Sequence, residues 1–412
     1  VSAGADRAGA DRAGADRAGG GARRPVVLAL LTTYLPGYRS GGPLRTLANM
    51  VEHLGERFAF RVVTRDRDMG AAQPYEGVAR GVWVGVGRAS VLYLAVSLAT
   101  AYRVVRAIRR TPHDVLYVNS FFAPLFSIVP LLARRFGLIP RRPVIVATRG
   151  EMAPSALGQK ERKKQLFIAL SRFLGLHRDV WWQVSSPYEQ ADLIRRLGVD
   201  EGRVLVAPNA PSGLGSTEDV RVPPHDPLRA VFVARIAPMK NLPFALDVLA
   251  KVDRDVVFDV YGTVEDRAYF EACLRALEGM RGRVRAAYHG PLPHDDVARV
   301  LAEHHLLFFP TQGENYGHVI AEALAVGTPV LISDRTPWRD LEAQGAGWDL
   351  PLEDPRRFVE VIEAYADTRE EERARLRAST LRYAAARMQD PEVLRQNVVM
   401  FETALGQARG PG

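Results

Sequence analysis

A single cysteine in 412 residues, Cys273, excludes an internal disulfide and fits a reducing compartment. No apolar run reaches the ~18 residues a transmembrane helix needs, so no span is expected. The first residues carry no apolar core of the secretory kind, and no signal segment is read there. The glycines of the first strand-to-helix turn do not spell G-x-G-x-x-G, which speaks against a dinucleotide. The histidines lack metal-ligand spacing, so no metal is expected. The basic stretches lack interleaved aromatics or a nucleic-acid motif, so nucleic acid is not an expected partner. The composition that remains is that of an ordinary globular protein, in a chain too long for one hydrophobic core; two domains are the default.

Charge is unevenly placed. Up to residue 210 there are 31 Lys and Arg against 16 Asp and Glu, a net +15; the remainder has 24 against 31, a net −7. A basic first half suits nucleic acid or an anionic membrane surface, or is simply an arginine-rich solvated face, and the missing nucleic-acid motif leaves the membrane surface.

The order of elements is legible. Residues 1–24 hold three copies of GADRA and a glycine-rich run, which cannot bury a core and is expected to be a disordered tail. Residues 25–210 read as one α/β domain. Pro25–Leu31 is a strand, Thr32–Pro43 a loop with Gly41-Gly42, and Leu44–Leu54 a helix. Phe60–Thr64 is a strand followed by Asp66-Arg67-Asp68, read as a surface loop, like Asp253-Arg254-Asp255 further on. Val91–Ile108 has helical spacing and arginines near its end. Val115–Val118, Pro143–Ala147, Trp181–Ser185 and Val204–Ala207 are strands. Phe121–Ala133 is apolar but broken by Pro124 and Pro130, and Lys160, Arg162, Lys163 and Lys164 form a basic helical segment. Residues 211–227, rich in Pro, Gly and Ser, are the linker. Residues 228–390 restart the alternation, with strands at Leu228–Val233, Val256–Tyr261, Val284–His289, Leu306–Phe309 and Val330–Ile332 and helices between them. Residues 391–412 are a closing helix, which crosses back to the first domain, and a tail. The fold class is α/β: two Rossmann-like domains facing a cleft.

The chemistry gathers in Leu306–Asp334, a strand–loop–helix–strand unit with a helix N-terminus at the carboxyl end of a parallel strand. Backbone N–H groups around Gly317 and His318 favour an anion there. Glu314 lies in the loop and Glu322 in the helix. Arg235 and Lys240 follow the strand Leu228–Val233 and reach the same sheet edge. Two cations with helix N–H groups suit a diphosphate. Glu322, four residues after His318, can accept two hydrogen bonds from a vicinal diol such as a ribose. The competing reading is a structural ion pair between Arg235 and Glu314.

FPTQGENYGHVIAEALAVGTPVLIS, with FVARIAPMKN before it, GGPLRTL near the start and Arg335-Thr336-Pro337-Trp338 after it, resembles the retaining enzymes of glycosyltransferase family 4. The likeness covers almost all of residues 25–405 and is strongest in 230–345. It implies the GT-B fold, a nucleotide-sugar donor held mainly by the second domain, no metal, no cofactor and retention at the anomeric carbon. Carried over by position, Arg235 and Lys240 would bind the donor diphosphate. Glu322 would bind the ribose and Glu314 the transferred sugar. Backbone N–H groups of Tyr316, Gly317, His318 and Val319 would bind phosphate oxygens, and His289–Leu292, including Gly290, the base. Gly41 and Gly42 would close over the donor. Where many members have a histidine, this chain has Thr148-Arg149-Gly150-Glu151, in a segment that resembles a bacterial exopolysaccharide subgroup. Arg149 is there assigned to a phosphate or the donor sugar, within the catalytic set, and Glu151 to the acceptor. His113 is read as a capping or core histidine.

The expected function is therefore transfer of a sugar, with retention, from a nucleotide-sugar donor to a glycan or lipid-linked acceptor of a surface polysaccharide. The expected place is the cytoplasm, at the inner face of the membrane, with the basic domain against anionic lipid. A nucleotide-sugar epimerase of the same fold and a non-catalytic scaffold are the alternatives. Glu314→Ala is expected to abolish transfer and leave the fold intact, because a loop carboxylate contributes little to packing.

Overall fold

The computed structural model describes residues 23–152, 161–211, 227–280, 282–388 and 390–406, with the main chain alone at 161–163. The GADRA repeats, most of the 211–227 linker, Lys160 and the side chains of Arg162 and Lys163 lie outside the described residues. The chain divides into two compact units, one ending at Ala210 and resuming at Pro391, the other Pro211–Asp390.

The first unit is built on an eight-stranded sheet of β1 (Val26–Leu30), β2 (Ala59–Arg65), β3 (Trp83–Val86), β4 (Ala89–Leu94), β5 (Val115–Val118), β6 (Val144–Ala147), β7 (Val180–Val184) and β8 (Val204–Val206). Its order is β3-β4-β2-β1-β5-β6-β7-β8. All pairs are parallel except β3 with β4. Parallel strands are covered on both faces and so read as continuous apolar runs. In β1 all five residues of VVLAL are buried. Val27 and Ala29 face one core, with α1 (Gly42–Leu54). Leu28 and Leu30 face the other, with α2 (Thr100–Arg110), α3 (Val129–Arg135), α4 (Glu161–Phe173) and α5 (Pro187–Leu197).

The second unit has six parallel strands, β9 (Leu228–Val233), β10 (Val256–Tyr261), β11 (Val284–Tyr288), β12 (Leu306–Phe309), β13 (Val330–Ser333) and β14 (Gly347–Leu350), in the order β11-β10-β9-β12-β13-β14. The helices are α6 (Leu242–Leu249), α7 (Arg267–Gly279), α8 (His294–Ala302), α9 (His318–Ala325), α10 (Pro355–Asp367) and α11 (Glu370–Met388).

The last helix, α12 (Pro391–Ala404), belongs to the first unit, as the crossing back requires. Phe401 is fully buried there, with ring centroids 5.1 Å from Phe58, 5.9 Å from Phe60 and 5.8 Å from Tyr117.

One helix read from the sequence is divided differently. Val91–Ile108 is not a continuous helix: Ala89–Leu94 is a strand paired with β2, and the helix starts at Thr100. A short apolar run buried on both faces has no period that separates strand from helix. The strands β3 and β14 were not anticipated, since four residues with a glycine carry little alternation.

Phe401→Ala is expected to destabilise the first unit by about 3–5 kcal/mol, the usual cost of a buried aromatic. Urea unfolding read at the tryptophans of that unit checks it; an unchanged midpoint would detach α12 from this core.

Candidate active site

In the second sheet the connections run one way from β9 and the other way from β12. The loops leaving these neighbours part, and that crevice is where open α/β sheets bind ligands. Here the loops after β9, β12 and β13 are stitched together. A turn of 3₁₀ helix at Pro238–Lys240 ends at Asn241, whose side chain donates to Pro310 O at 3.0 Å. Met239 O accepts from Gln312 N at 2.8 Å and Thr311 Oγ1 at 3.0 Å. Ser333 Oγ donates to Thr311 O at 2.5 Å, and Glu314 N to Arg335 O at 3.0 Å.

Inside this frame the Lys240 ammonium is paired with Glu314 Oε1, and the two side chains are only 16% and 13% exposed. Arg235 is paired instead with Glu265, at 2.6 Å, in the loop after β10. The ion pair considered from sequence, Arg235 with Glu314, is therefore replaced by two others. Nothing in the local sequence marks Glu265. It arrives because Ile236 bridges Val264 and donates its N–H to Thr263 O at 2.8 Å. Both members of the Arg235 pair are more than a third exposed, so the pair is weak and exchangeable. The Lys240 pair is shielded and is the stronger constraint.

Helix α9 begins at Gly317, which has φ 77° and ψ 67°. A side chain there would be strained, and a Cβ would lie 2.7 Å from Ile320 Cδ1. The first-turn N–H groups of His318 and Val319 have no intrahelical acceptor by geometry, and the helix dipole adds positive potential. The turn is held from behind by Trp338. Its indole N–H donates to Tyr316 O at 2.5 Å, and the rings lie 5.7 Å apart. Burial pushes the Tyr316 phenol up, so it stays protonated. Glu322 is largely buried, with His294 Nδ1 3.9 Å from its Oε1. Trp338 was noticed only as part of a motif, and His294 was given no role.

At the segment that the family resemblance assigns to the base, His289 stacks on Tyr261 at 4.9 Å and meets Asp259 Oδ1 at 2.6 Å. Burial alone would raise the Asp259 pKa. Hydrogen bonds from His304 and His289 outweigh it and hold the carboxyl at about 2. Gly290 O accepts from Gly262 N at 2.9 Å.

In the first unit the reading of Asp66-Arg67-Asp68 as a surface loop is corrected: Asp66 is 1% and Asp68 7% exposed. Asp68 accepts from the N–H groups of Tyr38 at 2.9 Å, Arg39 at 3.2 Å and Met69 at 2.7 Å, shaping the loop ahead of Gly41-Gly42. A carboxylate bonded by backbone N–H groups can be buried, and alternation with arginine did not show this. Gly41, at φ 63° and ψ −133°, precedes α1. Asp253-Arg254-Asp255 does lie at the surface, with Arg254 on Asp367 at 2.7 Å.

Arg149 sits at the middle of a network. Its Nε donates to Asn119 Oδ1 at 2.7 Å, its Nη1 to Asn209 Oδ1 at 2.7 Å and its Nη2 to the Tyr117 hydroxyl. Asn119 in turn donates to Pro43 O at 2.8 Å, beside Gly41-Gly42. The buried Glu189 fixes the turn. It accepts from Thr148 Oγ1 at 2.6 Å and Gly150 N on one oxygen, and from Ser185 N at 2.7 Å and Ser185 Oγ at 2.8 Å on the other. Arg149 is thereby held at φ 50°. Glu189 was invisible from sequence, where it looked like one more polar residue in the first turn of a helix. Glu151 accepts from Ser120 Oγ at 2.7 Å and Phe121 N at 2.6 Å, so both its oxygens hold the loop after β5, and burial raises its pKa. His113 is a core histidine, 5% exposed, with Nδ1 2.7 Å from Thr111 O. Among the described residues no group of three or more His, Cys, Asp or Glu could hold a metal ion.

Comparison with known proteins places this geometry. Residues 41–210 match the family described as glycosyl transferase 4-like domain, and residues 217–382 the family described as glycosyl transferases group 1. A Klebsiella pneumoniae protein, described as an uncharacterized 41.2 kDa protein in the cps region, is 21% identical over 279 residues, 64% of this chain and 72% of that one. HepE of Anabaena, solved with UDP and glucose, superposes with a TM-score of 0.68 at 17% identity, over 92% of this chain and 100% of that one. WaaG, described as involved in lipopolysaccharide biosynthesis, superposes at 0.63 with 16% identity, over 93% and 100%. These likenesses to solved structures show the two-domain GT-B fold.

Glu189→Ala removes a buried acceptor of four hydrogen bonds. It is expected to cost the first unit at least about 3 kcal/mol and to speed amide exchange at Gly150. Denaturation and hydrogen exchange measure both; unchanged protection at Gly150 would contradict the role.

Proposed function

Because this chain is a glycosyltransferase of the GT-B fold, we propose that it moves a sugar, with retention, from a nucleoside-diphosphate sugar to a glycan or lipid-linked acceptor during assembly of a surface polysaccharide, working at the inner face of the cytoplasmic membrane. The observation that carries the chemistry is the shielded Lys240–Glu314 pair at the β9/β12 switch point, beside Arg235 and the N-terminus of α9. HepE with UDP-glucose supports a uridine nucleotide as the first donor to try, and the descriptions of WaaG and the Klebsiella protein favour a surface-glycan acceptor.

The roles follow from charge. Breaking the anomeric C–O bond sends its electron pair to the diphosphate, so stabilisation must grow on the leaving oxygens. Arg235, whose ion pair is exposed, exchanges Glu265 for phosphate. The N–H groups of Tyr316, Gly317, His318 and Val319 add to the grip. Lys240 is already neutralised by Glu314, so it serves both partners, offering remaining N–H donors to the diphosphate while fixing the carboxylate beside the sugar. Glu322 takes the ribose, and Gly290 and its neighbours the base. From the first unit, Gly41-Gly42 covers the donor and Arg149 spends the donors left over from Asn119, Asn209 and Tyr117 on a phosphate or the sugar. With both oxygens engaged, Glu151 acts on the acceptor through the loop it shapes. The acceptor hydroxyl then bonds to the anomeric carbon on the face the nucleotide leaves, and its proton passes to the departing diphosphate.

Glu314→Ala is no longer the clean probe it looked from sequence, because it strands the Lys240 charge in a shielded place at about 3 kcal/mol. Glu314→Gln keeps the shape. A thermal-shift screen of UDP, GDP, ADP and dTDP sugars identifies the donor, and product analysis follows. Lys240→Gln and Glu314→Gln, each of which leaves the remaining member of the pair a hydrogen-bonding neighbour, are expected to lower kcat about 100-fold or more at saturating donor. A wild-type kcat in both variants, or no nucleotide release with any common donor and acceptor extract, sinks the reading.

A further inference from the structure

The loop that leaves β11 is held by a carboxylate to which the chemistry above gives no part. Asp259 is the one charged residue of β10 and is 6% exposed, between the fully buried Phe258 and Val260. Apolar side chains are the usual occupants of such a strand. A buried carboxylate is tolerated there where donors reach both its oxygens. His289 Nε2 lies 2.6 Å from Oδ1, and on Oδ2 His304 Nε2 lies at 3.0 Å and Arg229 Nη2 at 3.2 Å.

Two of these partners mark the ends of one excursion of the chain. His289 directly follows β11, and His304 follows α8, where its Nδ1 is 2.6 Å from Val300 O. His304 is 2% exposed and is fixed through its neighbour: His305 N donates to Arg229 O at 2.8 Å, and Arg229 N donates to His305 Nδ1 at 2.9 Å. The carboxylate therefore ties the start of the excursion to an anchored point at its end. Between the two, Gly290-Pro291-Leu292-Pro293 leads into α8, and two prolines restrict its main chain. His289 N donates to Val260 O at 2.9 Å, and Gly290 O accepts from Gly262 N at 2.9 Å. At the far side of the prolines His294 lies 3.9 Å from Glu322. A short, stiff segment thus runs from one carboxylate to another.

The His289 ring fills no core position. Its side chain is 40% exposed, and the ring stacks on Tyr261 with the planes 21° apart. Stacking alone lets a ring slide and turn; the bond to Asp259 fixes its direction, and with it the direction of the turn that follows. Hydrogen bonds weaken steeply with distance and angle, so a segment that reads a ligand by its main chain has to be held within a fraction of an ångström.

We propose that Asp259 is a positioning residue for donor recognition: through His289 it holds Gly290–Leu292 where their main chain discriminates among nucleoside bases, while His304 and Arg229 keep the carboxylate in place. This role rests on the placing of the donor base at that segment under the proposed function, and names the residues that set its fit. The diphosphate is met by other loops, those carrying Arg235, Lys240 and the start of α9, so its grip is independent of Asp259.

Calorimetric titration of the full chain with UDP, GDP, ADP and pyrophosphate tests it, together with donor kinetics. His289→Phe keeps a ring on Tyr261 and removes the N–H. It is expected to weaken the preferred nucleotide about tenfold and to narrow the preference over the other two by a similar factor, the worth of one lost hydrogen bond. Pyrophosphate affinity should stay within about twofold, and the kinetic change should fall on KM rather than kcat. His289→Gln returns a donor and is expected to recover the preference. Both variants should unfold at the wild-type midpoint, because the side chain they alter is exposed. Asp259→Asn should narrow the preference as His289→Phe does; if it does not fold, the two His289 variants decide. Wild-type preference in His289→Phe overturns the proposal, as does equal weakening of pyrophosphate and nucleotide, or failure of His289→Gln to recover what His289→Phe loses. If no nucleotide binds the wild-type chain, the donor reading falls and this role with it; if nucleotides bind the wild-type chain and His289→Phe alike, only the positioning role falls.

Discussion

A lysine and a glutamate shielded together at the switch point of the second sheet set the terms for the loops around them. Taking both charges out of water is costly, and their attraction offsets that cost only if the geometry is held. The side chains of Asn241, Thr311 and Ser333 hold it, by hydrogen bonds that link the loops after β9, β12 and β13. Trp338 adds a bond from its buried indole to Tyr316 and braces the entry to α9. Loops at the carboxyl edge of a sheet would otherwise be the most mobile part of the unit. Here they form a rigid floor, on which Arg235, with its exposed ion pair, is the adaptable cation.

The first unit solves the same problem with different residues. Glu189, buried at the start of α5, gathers Thr148, Gly150 and Ser185 and forces Arg149 into a left-handed backbone conformation. Asp68 performs the equivalent task for the loop before Gly41-Gly42. At both of these turns a carboxylate that looks ordinary in sequence is buried because donors converge on it.

The alternation of strands and helices was legible because parallel strands buried on both faces, such as VVLAL and LLFF, leave unbroken apolar runs closed by Pro, Gly or polar turns. It failed at Val91–Leu94, where a run of that kind precedes a helix with no strong stop between them. The residues at the β9/β12 edge were legible too, because cations and carboxylates placed just after predicted strands must come to one edge of a parallel sheet. Their pairing was not. Arg235 is five residues from Lys240, and which of them meets Glu314 depends on how the 3₁₀ turn aims each side chain.

Local patterning by itself thus determined two α/β units, the sheet edge to which the candidate site residues come and the residue types available there. Tertiary structure alone decided which charges neutralise each other and which carboxylates are buried. Periodicity follows from backbone geometry repeated over a few residues. Pairing and burial depend on segments far apart in the chain, such as Glu265 with Arg235 or Glu189 with Thr148. Only the folded chain brings these segments within a hydrogen bond of each other.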